Sequence, residues 1–226
     1  MNCIIPARMN SKGLIEKNKK MLCGKPLILW TIEAALKSNC FDKVIVSSDD
    51  PDILSLSRNF TDVHTHNRDT EKASDTSPVA ETVATLIDLY PADNYALLQP
   101  TSPLRTNVHI MQACEAFQQG QASSLVSMCE VEMQPALYYV IDDTKIKPLY
   151  SYKKKISNRQ EAPKIYKVNG AIYLFTRDFF YKSSGFIDEG TQMFLMDSAC
   201  SIDIDSQSDF DAASVVMQKH FENHQK

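Results

Sequence analysis

Four stretches of the chain are apolar almost without interruption: N-C-I-I-P-A from Asn2, K-V-I-V-S-S from Lys43, Y-A-L-L-Q from Tyr95 and S-S-L-V-S-M-C from Ser123. Each is too short for a helix of ordinary length and reads as a strand buried on both faces. Between them lie stretches in which apolar residues recur every three or four positions, P-L-I-L-W-T-I-E-A-A-L-K, S-P-V-A-E-T-V-A-T-L-I-D-L-Y and H-I-M-Q-A-C-E-A-F. That period is helical. The β-α-β order predicts an α/β fold: a mostly parallel sheet flanked on both faces by helices.

From about Glu130 to Gly190 the rhythm changes. Strand-like pieces, L-Y-Y-V-I and I-Y-K-V-N-G-A-I-Y-L-F, alternate with basic and turn-rich stretches such as S-Y-K-K-K-I-S-N-R-Q. This pattern predicts a β-rich lobe inserted at about 130–190 before the last strand of the sheet. C-S-I-D-I-D is read as that last strand. A closing helix then begins near Ser206, where S-Q-S-D resembles a capping box with Asp in place of Glu. No internal repeat or low-complexity segment interrupts the chain, so residues 1–226 are read as one domain carrying one lobe.

Composition narrows the function classes. The 226 residues, 43% of them hydrophobic, can bury a substantial core. A formal net charge of -4 leaves no basic excess for nucleic acid or an acidic membrane surface. The positive charges must therefore act locally. The six cysteines lie far apart without a C-x-x-C pair, which points to reduced, buried thiols. No apolar run approaches the roughly 20 residues of a membrane span, and the first residues lack a signal-peptide core, so the expected location is the cytoplasm.

Candidate chemistry sits at two places. The first strand runs directly into A-R-M-N-S-K-G-L-I-E-K-N, a loop carrying Arg8, Lys12 and Lys17 among small polar residues. In an open α/β sheet, such a junction at the carboxyl end of a strand is where phosphate binds. Neither G-x-x-x-x-G-K-[ST] nor G-x-G-x-x-G is present, so the two standard nucleotide loops are excluded. The second place is S-I-D-I-D. On a strand, Asp203 and Asp205 would face one side with Ile202 and Ile204 turned to the core. Two hard carboxylates side by side suit Mg²⁺ bridging substrate phosphates.

The ordered set A-R-M-N-S-K-G-L-I-E-K-N, G-K-P-L-I, V-S-S-D-D, L-Q-P-T-S-P-L-R, N-G-A-I-Y and S-I-D-I-D closely resembles the N-acylneuraminate (CMP-sialic acid) cytidylyltransferase family. The resemblance runs from Ile4 to about Ala213. It implies a Rossmann-like nucleotidyltransferase sheet with a β-rich dimerisation lobe, a homodimer or tetramer, and transfer of CMP from CTP to a nine-carbon 2-keto sugar acid with release of pyrophosphate. It also implies Mg²⁺ held by Asp203 and Asp205. Arg8, Ser11, Lys12, Asn18 and Arg68 match the nucleotide-binding positions, with Arg8 and Lys12 offsetting the triphosphate. Gln99, Arg159, Lys167, Tyr173 and Phe186 match positions around the sugar acid, the two aromatics forming an apolar wall for its N-acyl group. Many members have Gly-Gly where this chain has Met9-Asn10.

The reaction so implied is an in-line attack of the anomeric hydroxyl on the α-phosphorus. Lys12, Arg8 and Mg²⁺ would stabilise the developing charge, and either Asp203 or Asp205 would accept the proton. Legionaminic and pseudaminic acids are alternative acceptors. Sialic-acid-using members commonly carry a lysine where M-Q-P-A-L-Y-Y has Ala136 and Leu137, so either Arg159 carries more of the sugar carboxylate's charge or the pocket takes a less polar, doubly acylated acid; sialic acid is the default, because N-G-A-I-Y resembles that branch more than the pseudaminic one. A D-x-D glycosyltransferase, releasing a nucleotide in place of pyrophosphate, is the reading from another class. Three features are read as structural. His64 and His66 are loop histidines, Asp49 and Asp50 cap the next helix, and Arg105 fits a charge at the start of a helix.

Overall fold

The computed structural model describes residues 1–9, 13–68, 79–131, 138–149, 164–183 and 185–223. Among the described residues, seven strands form the main sheet in the order β11-β7-β10-β6-β1-β4-β5. Their ranges are β1 Asn2–Pro6, β4 Lys43–Ser48, β5 Val63–Asn67, β6 Asn94–Leu97, β7 Ser124–Val131, β10 Ile165–Thr176 and β11 Gln192–Leu195. β10 alone runs antiparallel to its neighbours β6 and β7; every other pairing is parallel. Two short strands, β2 Met21–Leu22 and β3 Lys25–Pro26, pair after the opening loop. A separate hairpin joins β8 Tyr139–Asp142 to β9 Lys145–Pro148.

The strands are apolar on both sides because both sides are covered. Cys3, Ile5, Val44, Val46, Ala96 and Leu98 pack with α1 Leu27–Ser38 and α4 Asn107–Gln119 on one face. Ile4, Ile45, Tyr95, Leu97 and Phe175 pack with α3 Val79–Leu89 and α5 Arg177–Ser183 on the other. Successive side chains of one strand thus feed two cores. A third cluster, with Leu14, Leu22, Leu27, Ile204 and Phe210, seats α6 Gln207–Asn223. Its start is the expected capping box: Asp209 Oδ2 accepts from Ser206 N at 2.8 Å, and Ser206 Oγ accepts from Asp209 N at 3.3 Å.

Three expectations are corrected. C-S-I-D-I-D is no strand. The seventh strand is β11, paired with β7, and the chain then leaves the sheet through a 3-10 turn at Ser198–Cys200. Residues 201–205 cross the strand ends without regular secondary structure, tied by Ile204 N donating to Thr101 O at 2.8 Å. Alternation survives there only in part, with Ile204 fully buried and Ile202 half-buried. Second, His64 and His66 lie on β5 at the edge of the sheet, not in a loop, and His66 Nδ1 pairs with Ser47 Oγ at 3.0 Å. Third, of the interval 130–190, β10 and α5 belong to the main body, whereas β8 and β9 form a sheet of their own.

Sheet order reverses at β1. From it the chain winds outward through β4 and β5, then returns to place β6 on β1's other side. Ligands of open α/β sheets bind in the crevice outside the carboxyl ends of strands at such a reversal.

Candidate active site

At that crevice lies a cleft of about 390 Å³ lined by Arg8, Lys17, Asn18, Arg68, Gln99, Thr101, Asp203 and Asp205 among others. Strand direction explains the company. Arg8 follows β1, Asp49 follows β4, Arg68 follows β5 and Gln99 follows β6, all at the same end of the sheet. Parallel strands deliver loops to one edge, and the Asp203–Asp205 segment crosses over them.

The half of the cleft built by the opening loop is tied down by short polar contacts. Asn18 Nδ2 donates to Arg8 O at 3.1 Å, and Met9 N donates to Asp49 Oδ1 at 2.8 Å. Asp49 also faces Arg68: burial pushes that guanidinium's pKa down, the Asp49 charge opposes the shift, and Arg8 adds to it. Asp49 is therefore a brace for this loop, not a helix cap. The capping role falls to Asp50, whose Oδ1 accepts from Asp52 N at 2.9 Å at the start of α2 Pro51–Ser57.

Lys17 joins the opening loop to the acidic segment. Its ammonium is buried and donates to Ile204 O at 2.5 Å and Asp205 Oδ1 at 2.9 Å. Gly13 brings the two backbones still closer, since a Cβ there would fall 2.1 Å from Asp205 O. Only a residue without a side chain fits that crossing.

Asp203 and Asp205 share the cleft but differ in setting. Asp205 is exposed. Asp203 is half-buried, and burial raises its carboxyl pKa; the Thr101 hydroxyl and Lys17 oppose the rise, while Asp205 adds to it. Asp203 Oδ1 is buried with no hydrogen-bond partner among the described residues. Opposite it, Gly170 in β10 has φ +74°, and a Cβ there would lie 3.4 Å from Asp203 Oδ2 and 3.5 Å from Gln99 Oε1. Here the register of β10 against β7 shifts, between Val168 and Tyr173.

The family profile of the cytidylyltransferases matches residues 2–225. This chain belongs to the cytidylyltransferase family. N-acylneuraminate cytidylyltransferase of Escherichia coli O18:K1:H7 is 33% identical over 225 residues, covering 99% of this chain and 53% of that protein. The N-acylneuraminate cytidylyltransferase of Streptococcus agalactiae serotype III is 34% identical, covering 92% and 51%. The chain thus spans about half the length of these two relatives. CMP-N,N'-diacetyllegionaminic acid synthase of Legionella pneumophila is 34% identical over 223 residues, 95% of each chain. In fold, the chain is similar to the solved CMP:2-keto-3-deoxy-manno-octonic acid synthetase complexed with CTP, with TM-score 0.71 at 19% identity over 96% of this chain and 98% of that one.

In this cytidylyltransferase-family chain the sequence-derived positions fall into four groups. Arg8, Asn18, Arg68, Gln99, Asp203 and Asp205 line one cleft. Lys167 is exposed in a neighbouring cleft of about 430 Å³, which meets the first at Asp203. Tyr173 and Phe186 pack at 5.7 Å between ring centroids, and burial, with Asp203 nearby, raises the Tyr173 phenol's pKa. Ser11, Lys12 and Arg159 lie outside the described residues, as does the segment with Ala136 and Leu137. Asp49 and Thr101 were not expected at the site, and Lys17 was read only as one cation of the opening loop. Lys17 stood in the opening loop among other cations, and its burial was the signal that sequence could not carry.

Proposed function

We propose that this chain transfers CMP from CTP to the anomeric hydroxyl of a nine-carbon 2-keto sugar acid, releasing pyrophosphate. The observation that carries the reading is one cleft in which two arginines and an amide face two carboxylates across a strand-end crevice, in a chain of the cytidylyltransferase family. Arg8, Arg68 and Asn18 receive the nucleotide, with Ser11 and Lys12 on the same loop. Gln99, the Tyr173–Phe186 wall, Lys167 and Arg159 receive the sugar acid. Positioning and electrostatic stabilisation are the main sources of rate in such phosphorus chemistry.

The donor set fits Mg²⁺. A buried carboxylate oxygen left without a hydrogen bond, as Asp203 Oδ1 is, is costly unless a cation or proton satisfies it. Asp203 and Asp205 would hold the ion, which when bound would offset phosphate charge. In this reading the proton of the attacking hydroxyl passes to Asp203 or Asp205, the two carboxylates of the cleft.

Sialic and legionaminic acids are both acceptors in this proposal. Relatives named for each are 33–34% identical, and the legionaminic acid synthase is the one matched over 95% of its length. The six unpaired cysteines fit a reducing compartment, hence the cytoplasm. A homodimer through the β8–β9 hairpin completes the proposal. Tyr139 and Ile141 face Pro148 and Ile146 in register and form one apolar, exposed side that a second copy would cover.

Pyrophosphate release with each of the four nucleoside triphosphates, against a panel of sugar acids, tests the reading. Release is expected only with CTP plus a nine-carbon 2-keto acid. Equal turnover with UTP, or none with any such acid, would overturn it.

A further inference from the structure

Arg105 is among the largest side chains that are fully buried, with 1% of its surface exposed. Its Nη1 donates to Gln99 O at 3.1 Å and to Ala171 O at 2.8 Å, and its Nη2 to Thr31 Oγ1 at 2.6 Å in α1. None of these partners is a carboxylate. A buried cation carries a large desolvation cost, and apolar side chains of similar volume often replace buried charges without loss of stability. Three hydrogen bonds to two segments and a helix are what an apolar side chain could not supply.

What Arg105 joins is specific. Gln99 forms one side of the gap at Gly170 and Ala171 is the residue that follows Gly170; across that gap Gln99 and Asp203 face each other. The linkage continues past Ala171. Its N donates to Asn169 Oδ1 at 3.2 Å, and Asn169 Nδ2 donates to Ser201 Oγ at 2.9 Å, two residues before Asp203. The nucleotide-like residues Arg8, Asn18 and Arg68 are carried by other segments, and no described bond of Arg105 reaches them.

We propose that Arg105 is a positioning residue that sets the separation of Gln99 and Asp203 across Gly170, and so shapes the acceptor half of the cleft without touching substrate. The assignment of that half to a sugar acid rests on the function proposed above; the placement of the two segments does not.

The test uses Arg105→Met, Arg105→Lys, Gln99→Ala and the Arg105→Met/Gln99→Ala double variant. In pyrophosphate release, Arg105→Met should raise KM for the sugar acid by about tenfold or more while KM for CTP stays within about threefold, and Arg105→Lys should recover part of the loss. The double variant should cost less than the product of the two single penalties, since part of what the guanidinium does is to place the Gln99 side chain. Parallel rises in both KM values, or penalties that multiply, would overturn the proposal. Backbone hydrogen exchange supplies an arm independent of turnover. Arg105→Met should speed exchange in segments 98–102 and 170–172 and leave β1 and β4 as in the parent chain. Uniform loosening, or none, would count against it. If the parent chain turns over no sugar acid, the proposed function falls and the exchange arm still decides the placement. Thr31→Val, which removes one acceptor of the guanidinium, carries the same readouts with a smaller expected shift should Arg105→Met fail to fold.

Discussion

Asp203 shows how one residue can be unfavourable for the fold and necessary to the site. Burial raises its pKa, so the folded chain binds that proton more tightly than the unfolded chain does. The sign follows: the stability it contributes is present below the ordinary aspartate value of about 3.9 and is lost as pH rises through the raised folded value. Above that, an ionised, half-buried Asp203 opposes folding. In metal-free protein, Asp203→Asn should therefore melt higher than the parent at pH 7, with the gain shrinking as pH falls toward 4, as scanning calorimetry would record. Turnover should meanwhile fall by about two orders of magnitude, the scale of removing one well-placed electrostatic group. At this scale sequence reading found the charged residues it could pair with a motif, Arg8, Arg68, Asp203 and Asp205. It did not give Lys17, Asp49 and Arg105 their structural roles, because a buried cation bonded to backbone carbonyls and an acid bonded to a backbone amide look, in sequence, like surface charges.

Among the elements, β10 does the most to shape the site. It is the sheet's single antiparallel strand, and it enters the cleft at an irregular register rather than at its end. Gly170 permits this through its left-handed φ of +74°. Gly170→Ala should lower unfolding free energy by about 1–2 kcal/mol in urea titration, the cost of placing an L side chain in that region. The added methyl would touch Asp203 and Gln99 at ordinary contact distances, so the loss comes from backbone conformation rather than collision. It would also occupy space between them, and KM for the acceptor should rise more than KM for CTP. The apolar runs that became β1, β4, β6 and β7 were legible because burial on both faces leaves no polar positions. β5 and β11 were not: V-H-T-H-N and Q-M-F-L sit at the two edges of the sheet, where one side of the strand meets solvent and the pattern weakens. S-I-D-I-D alternates as a strand would, yet alternation only reports which side chains are buried and cannot tell a sheet strand from a segment that crosses the strand ends.

For the whole molecule, the unsettled surface is the β8–β9 hairpin. Ile141 is 75% exposed and Ile146 66%, directly paired across the hairpin, and an isolated two-stranded hairpin is marginal in water. Replacing both with Asp should convert a dimer to a monomer in light scattering without changing the melting of the main body. A parent chain that is already monomeric would remove the hairpin from the interface account. A different consequence follows from Lys17. Its two acceptors lie 187 and 188 residues further along the chain, so the cleft joins two segments that leave the ribosome far apart in time. At roughly 5–20 residues per second, the opening loop must wait on the order of ten seconds or more for its partner segment to be synthesised. Until then Lys17 has no carbonyl to bury against, and a nascent chain can hold the sheet's first strands but not a working cleft.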